Sequence, residues 1–297
     1  QEQVARLVHI PNTWYTEPQG DFAEALCTRG FGQAFFCNSG AESIEGALKL
    51  VRLHGSQTGR YRVISFYDGF HGRTFGATTA TAQPKYHEGV GPLMAGFDYA
   101  RFNDLERVRE LASSETCAIL VEPIQGEGGV WPLSPEFADA VTAACERTGT
   151  LLIADEIQCG LGRTGAPFHS AMLGLRPDLL ALGKALGAGV PIGAILMSQE
   201  VADAISPGDH GTTYGGNLLA CRAALVYLDA LEHGGLDRVR VAGARLADGL
   251  RALATRHPVI TDIRGAGLMR GLEMTEATAT QVVDGALAHR LLVNCTA

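Results

Sequence analysis

The sequence contains no run near the roughly 18 consecutive apolar residues that a membrane-spanning helix needs, so no membrane span is expected. It also lacks an excess of positive charge. Its 24 Lys and Arg stand against 32 Asp and Glu, and the formal net charge of −8 argues against nonspecific nucleic-acid binding. Seven cysteines are odd in number and lack metal-like pairing, which fits a reducing cytoplasm better than a disulfide framework. Cys37, Cys117 and Cys145 sit in apolar contexts, where small buried thiols are expected. The histidines are scattered without metal spacing, so no metal is expected, and no repeat, low-complexity tract or signal peptide is visible. No G-x-x-x-x-G-K-[ST] segment occurs, which excludes a P-loop nucleotidase.

What the chain does have is ordinary for a globular α/β protein: 46% apolar and 19% charged residues over 297 positions. Its 37 glycines cluster around turns and strand ends, where ligand-cradling loops need them. Apolar runs at 34–37, 63–66, 118–121, 151–154, 179–182 and 192–197 alternate with helical periodicity at 40–53, 103–112, 135–147 and 218–232. That alternation predicts a mostly parallel sheet with helices on both faces. Asn103 is the expected cap of the 103–112 helix, and residues 84–97 read as a long irregular loop. After a long helix at 236–256, strands at 259–264 and 267–274, a helix at 278–290 and a strand at 291–294 predict a small α+β unit. The expected division is a large domain over 1–233 and a small one over 234–297.

The chain is organised around Leu151 to Lys184. Two short apolar runs there read as buried parallel strands, and each delivers a charged group just past its C-terminal end: Asp155 from the first, Lys184 from the second. Open α/β sheets bind ligands outside those ends. An amine that can form a Schiff base beside a carboxylate that can hold a pyridine nitrogen protonated suits pyridoxal phosphate. A structural Asp–Lys pair is the plain alternative. Gly160 to Gly165 formally matches G-x-G-x-x-G, but it does not open a helix, so the match is weak.

Other loops carry two readings each. Ser39, followed by Glu42 three residues later, is a capping box; the same segment, Asn38-Ser39-Gly40-Ala41, could seat a phosphate on a helix N-terminus. Phe70 is either a plate for a planar ligand or a core aromatic. Arg73 is either a carboxylate clamp or half of a salt bridge.

Six ordered segments resemble the class III (ornithine-type) aminotransferases of fold type I. They are Asn38 to Glu42, Phe70 to Thr74, Glu122 to Gly129, Asp155 to Gln158, the Lys184 segment and Thr213 to Asn217. Phe36 to Ala41 and Gln83 to Gly89 are similar to the acetylornithine subgroup. The resemblance implies transfer of the ω-amino group of N-acetylornithine to 2-oxoglutarate. It leaves open another ω-aminotransferase (of ornithine, succinylornithine, 4-aminobutyrate or carrier-bound lysine), an aminomutase or an inactive truncated homologue.

The resemblance also implies roles. Lys184 would be the Schiff-base lysine and proton shuttle, Asp155 the partner of the pyridine nitrogen, and Gln158 a partner of the ring hydroxyl. Phe70 would stack on the ring. Ser39, Gly40 and Ala41 would hold the phosphate from one subunit, and Thr213 from its neighbour in a homodimer. Arg73 would bind the substrate α-carboxylate, and Glu127 would help to select the amino group. Ile44, Ala188 and Leu218 stand where the family usually has Asn, Gly and Pro. Both ends of the usual family chain fall outside these residues, including an arginine that partners Glu127, so Glu127 is expected to be unpaired or hydrated.

Overall fold

A computed structural model of the protein describes residues 1–275 and 278–296. Its strands, in chain order, are β1 (Gln33–Cys37), β2 (Arg62–Phe66), β3 (Phe97–Ala100), β4 (Thr116–Val121), β5 (Ile124–Gln125), β6 (Trp131–Pro132), β7 (Leu151–Asp155), β8 (Leu179–Leu182), β9 (Gly193–Met197), β10 (Ile260–Ala266) and β11 (Met269–Met274). Seven of them form one sheet in the order β1-β9-β8-β7-β4-β2-β3. Neighbours from β8 through β7, β4 and β2 to β3 are parallel, and only β9 runs against its neighbours. The predicted α/β class, with its mostly parallel sheet, is the observed one.

Both faces of the sheet are covered, which is why β4, β7, β8 and β9 are buried throughout and apolar but for Thr116 and Asp155 at strand ends. Alternate residues serve opposite faces. Ile153, Leu179, Ala181 and Ile195 pack on Ile44, Leu48 and Val51 of helix Gly40–Ser56. Ala154, Leu180, Leu182 and Leu196 meet Phe22 and Leu26 of helix Glu17–Cys27, and Cys221, Ala224 and Leu228 of helix Leu218–Ala230. Further along that face, Phe137 and Val141 of helix Pro135–Thr148 fill the space over Ile64, Phe66 and Val121.

Beyond a kink at His233 and Gly234, helix Leu236–Arg256 lies against an antiparallel β10–β11 hairpin. The unit is thinly packed: its long helix buries only Gly243 and Ala247, and helix Ala279–Ala288 buries nothing.

Four local expectations are corrected. Asp104, not Asn103, caps helix Leu105–Leu111; its carboxylate accepts from Arg107 N, while Asn103 has a φ of 65° and instead bonds Pro132 O and Ser134 N. Residues 84–97 are not one irregular loop, since Pro84–His87 is a helical turn and Phe97 opens β3, the edge strand beside β2. Residues 291–294 form no strand: no described strand pairs with them, and Leu292 is left 84% exposed. The strand at 192–197 begins at Gly193. No helix among the described residues is long and apolar enough to cross a membrane.

Candidate active site

The site grows from the C-terminal ends of β2, β4, β7 and β8. Asp155 is the last residue of β7 and pairs in register with Ala181 of β8, three positions before Lys184. Lys184 has a left-handed φ of 41°, a conformation that costs a non-glycine residue energy and is found at functional turns. Directly before it, Gly183 lies so close to Gly40 that an added Cβ would stand 3.1 Å from the Gly40 Cα. A Cβ on Gly40 would in turn stand 2.9 Å from the Ile157 side chain. The lysine turn, the Asp155 loop and the start of helix Gly40–Ser56 therefore share one corner.

At that helix start, the Ser39 hydroxyl accepts from Glu42 N at 3.2 Å. The Glu42 carboxylate turns back to Asn38, taking its backbone N–H at 2.7 Å and its side-chain amide at 2.9 Å. The capping reading is thus realised, and it leaves a second function intact. The amides of Gly40 and Ala41 meet no acceptor among the described residues, so they remain donors at the positive end of a 17-residue helix.

Asp155 is buried, and both of its oxygens are engaged. Oδ2 lies 2.7 Å from His71 Nδ1, and Oδ1 accepts from Ile157 N at 3.1 Å. Burial pushes the His71 imidazole down; the hydrogen bond and charge of Asp155, helped by Glu122, outweigh it and leave the imidazole raised. Lys184 is exposed to solvent, yet the surrounding protein lowers its ammonium, against the opposing pull of Asp155, Glu122 and Glu127. A lowered lysine holds more of the neutral amine needed for nucleophilic attack and proton transfer. Glu156, next to Asp155, does other work: its buried carboxylate accepts from His169 N and Ser170 N, each at 2.6 Å, and anchors the following turn.

The Phe70 loop closes the corner from β2. Gly72 has φ 136° and approaches Ala41 so closely that an added Cβ would fall 2.9 Å from the Ala41 Cβ, so glycine is required there. Phe70 is half-buried, edge-on to Tyr86 at 5.8 Å between ring centroids. The Arg73 guanidinium stands 4.3 Å from the Tyr86 ring centroid and, among the described residues, has neither an ion pair nor a hydrogen bond. The salt-bridge alternative is not what the structure holds.

Glu127 corrects an expectation. It is paired: Gln158 Nε2 donates to its Oε1 at 3.1 Å. The pairing arises because Gln158 follows Asp155 by three residues and lies against Gly126, where an added Cβ would meet its amide. Thr213 is exposed on a loop fastened to its own chain. Asn12 Nδ2 donates to Thr212 O and Gly215 O, at 3.0 and 2.9 Å, and Asn38 Nδ2 to Thr212 Oγ1 at 3.3 Å. Lys184, Asp155, Gly40, Ala41 and Phe70 are thus tied into one region by contacts through Gly183, Ile157, Gly72 and His71.

Sequence reasoning gave no role to His71 or Glu122. His71 was visible only as the residue between Phe70 and Gly72, and nothing local showed that a loop 84 positions away would meet Asp155. Glu122 directly follows a buried strand, much as Asp155 closes one, and that repeated placement was the available signal.

The residues fit a phosphate-bearing pyridine: unmatched amides for a dianion, a buried carboxylate, an aromatic plate and a lysine of lowered basicity. The comparisons with known proteins agree. The acetylornithine aminotransferase of Caldanaerobacter subterraneus is 44% identical over 99% of this chain and 76% of its own length. That of Methanocaldococcus jannaschii is 44% identical over 99% of this chain and 75% of its own. Among solved structures, the ornithine aminotransferase of Toxoplasma gondii superposes with a TM-score of 0.94 at 32% identity, covering 99% of this chain and 73% of that one. N-acetylornithine aminotransferase of Stenotrophomonas maltophilia gives 0.83 at 34% identity, covering 98% and 74%. Residues 1–296 match the family described as aminotransferase class-III, and the chain belongs to it.

Proposed function

We propose that the protein is a pyridoxal-phosphate aminotransferase that moves the ω-amino group of N-acetylornithine to 2-oxoglutarate, giving N-acetylglutamate semialdehyde and glutamate. The observation that carries the chemistry is the placing of Lys184 and Asp155, from adjacent strands, beside the unmatched amides of Gly40 and Ala41. The choice of donor is supported by relatives at 40–45% identity that are named acetylornithine aminotransferases.

When bound, pyridoxal phosphate supplies a ring that accepts electrons from the carbon bearing the amino group. In this reading the chain's residues do the rest. Gly40 and Ala41 amides, with the Ser39 hydroxyl, would hold the phosphate. Phe70 would cover the ring, and Gln158 would bond its hydroxyl. Asp155, fixed by His71, favours the protonated pyridine nitrogen through its nearby opposite charge. Lys184, through its neutral amine, would hold the cofactor and would move the proton at the substrate carbon. Arg73 clamps the donor α-carboxylate through two parallel hydrogen bonds, leaving the far amino group to reach Lys184. Glu127, held by Gln158, faces that end of the donor.

The same reading makes the protein a homodimer in which Thr213 completes the partner's phosphate site; its exposure on a fastened loop supports this. It also places the protein in the cytoplasm, where seven unpaired cysteines are at home, and divides the chain at the His233–Gly234 kink into a large cofactor-binding domain and a small C-terminal one. The test is a panel of amino donors with 2-oxoglutarate as acceptor, read as glutamate formed. N-acetylornithine should give the highest kcat/KM; a preference for ornithine or 4-aminobutyrate would overturn the assignment.

A further inference from the structure

Two buried carboxylates at the strand ends have no task in the proposed chemistry: Glu156, which anchors its own following turn, and Glu122. Glu122 follows β4 and is only 4% exposed. Its two oxygens reach two different loops: Oε2 accepts from Phe70 N at 2.9 Å, and Oε1 accepts from Gly126 N at 3.4 Å. Those loops press together along their backbones, since an added Cβ on Gly128 would stand 2.6 Å from Asp68 O. A second, neutral tie runs beside the first, from Gln125 Nε2 to Tyr67 O at 2.9 Å. One loop carries Phe70, and the other carries Glu127.

We infer that Glu122 is a positioning residue that joins the Phe70 loop to the Gly126–Glu127 loop, so that the two open and close as one unit. A carboxyl group suits this because both oxygens keep acceptor capacity whether or not the group is ionised, so one side chain can take an N–H from each loop. Glutamine cannot copy it, because its NH2 nitrogen offers no lone pair to the second N–H. Loss of the tie leaves a buried backbone N–H without a partner, which is unfavourable enough to favour local opening.

The device responds to pH. Burial raises the Glu122 carboxyl from its ordinary 4.5 to about 7, with Asp155 adding to the rise and His71 opposing it. Besides those two, the charged or titratable groups near it are Lys184 and Cys159. Opening of the loops returns Glu122 to water and to its ordinary value, so ionisation favours opening. Protection is therefore complete below the ordinary value and is lost as pH rises through about 7.

That Phe70 faces the cofactor and Glu127 the donor rests on the proposed function, so the test reads the loops without either ligand. Amide hydrogen exchange is followed in residues 67–74 and 123–130 of the purified protein, with and without added pyridoxal phosphate, and corrected for intrinsic rates. Between about pH 6 and about pH 8, exchange in both segments should accelerate together, by roughly tenfold. Glu122→Gln should flatten that response in both. His71→Gln should keep it and move it to higher pH, because the imidazolium no longer holds the carboxyl down. Segments that respond separately or not at all, or a response that survives Glu122→Gln, would overturn the inference. Should Glu122→Gln fail to fold, the wild-type comparison of the two segments still decides. Failure to bind pyridoxal phosphate would count against the function and leave the loop result standing.

Discussion

The turn Gly126–Val130 is held from two sides, by the strand ends of the sheet and by the C-terminal hairpin, and the two hold it differently. From the sheet come the buried Glu122 carboxylate on Gly126 N and the half-buried Gln158 amide on Glu127. From the hairpin comes a partly exposed contact. Arg264 donates to Gly129 O at 2.7 Å and lies 3.6 Å over the Trp131 ring, which is itself 41% exposed. The sheet side is set by packing on both faces. The hairpin side is set by one guanidinium, which Asp262 and Glu273 also share, and by Gly265 and Gly271, whose lack of side chains makes room for Val130. Substitutions on the sheet side should therefore change chemistry at constant fold, whereas those on the hairpin side should change stability at nearly constant chemistry.

Lys184→Ala should break the chemistry most. Steady-state turnover is expected to fall by roughly a millionfold, the scale at which loss of a covalent nucleophile is felt, with the thermal midpoint nearly unchanged. Retention of turnover within about tenfold would remove Lys184 from the reaction. Asp155→Asn comes next. It removes the negative charge that would face the ring nitrogen and the ionic half of the His71 pair. Single-turnover rates should drop by roughly a hundred- to a thousandfold, the usual consequence of losing one preorganised electrostatic partner. A near-wild-type single-turnover rate would mean that the carboxylate only supports structure.

Arg73→Lys should cost less and be selective. A charge-assisted bidentate contact contributes about 1.5–3 kcal/mol, so kcat/KM should fall by about one to two decades for donors with an α-carboxylate. Simple ω-amines without that group should be nearly unaffected. Equal losses for both donor types would make Arg73 a structural residue. Smallest is Trp131→Ala, which removes the platform under Arg264. Calorimetry should show about 1 kcal/mol of lost stability, with the affinity for pyridoxal phosphate unchanged. A large change in cofactor affinity instead would show that the hairpin side reaches the chemistry.

The same contrast explains what could be read from the sequence. Leu151 to Asp155 and Leu179 to Leu182 are legible because strands buried on both faces must be continuously apolar, and the first charged residue after each marks the strand end. The start of helix Gly40–Ser56 is legible because capping is local. The hairpin region is less so. Residues 291–294 are as apolar as a strand, but a strand needs a neighbour, and none pairs with it among the described residues. The pairings of Asp155 with His71 and of Glu127 with Gln158 join loops 84 and 31 positions apart. Local pattern carries no information about contacts at such separations, so with the family's partner arginine outside these residues, nothing in the sequence pointed Glu127 to Gln158.

The central claim is that Lys184 carries the cofactor, and reductive trapping tests it most directly. The protein loaded with pyridoxal phosphate is treated with borohydride, digested and mapped by mass spectrometry. The account predicts one pyridoxyl-bearing peptide, modified at Lys184 and absent from Lys184→Ala. Modification at Lys49 or Lys85 instead, or an adduct that persists in Lys184→Ala, would contradict it.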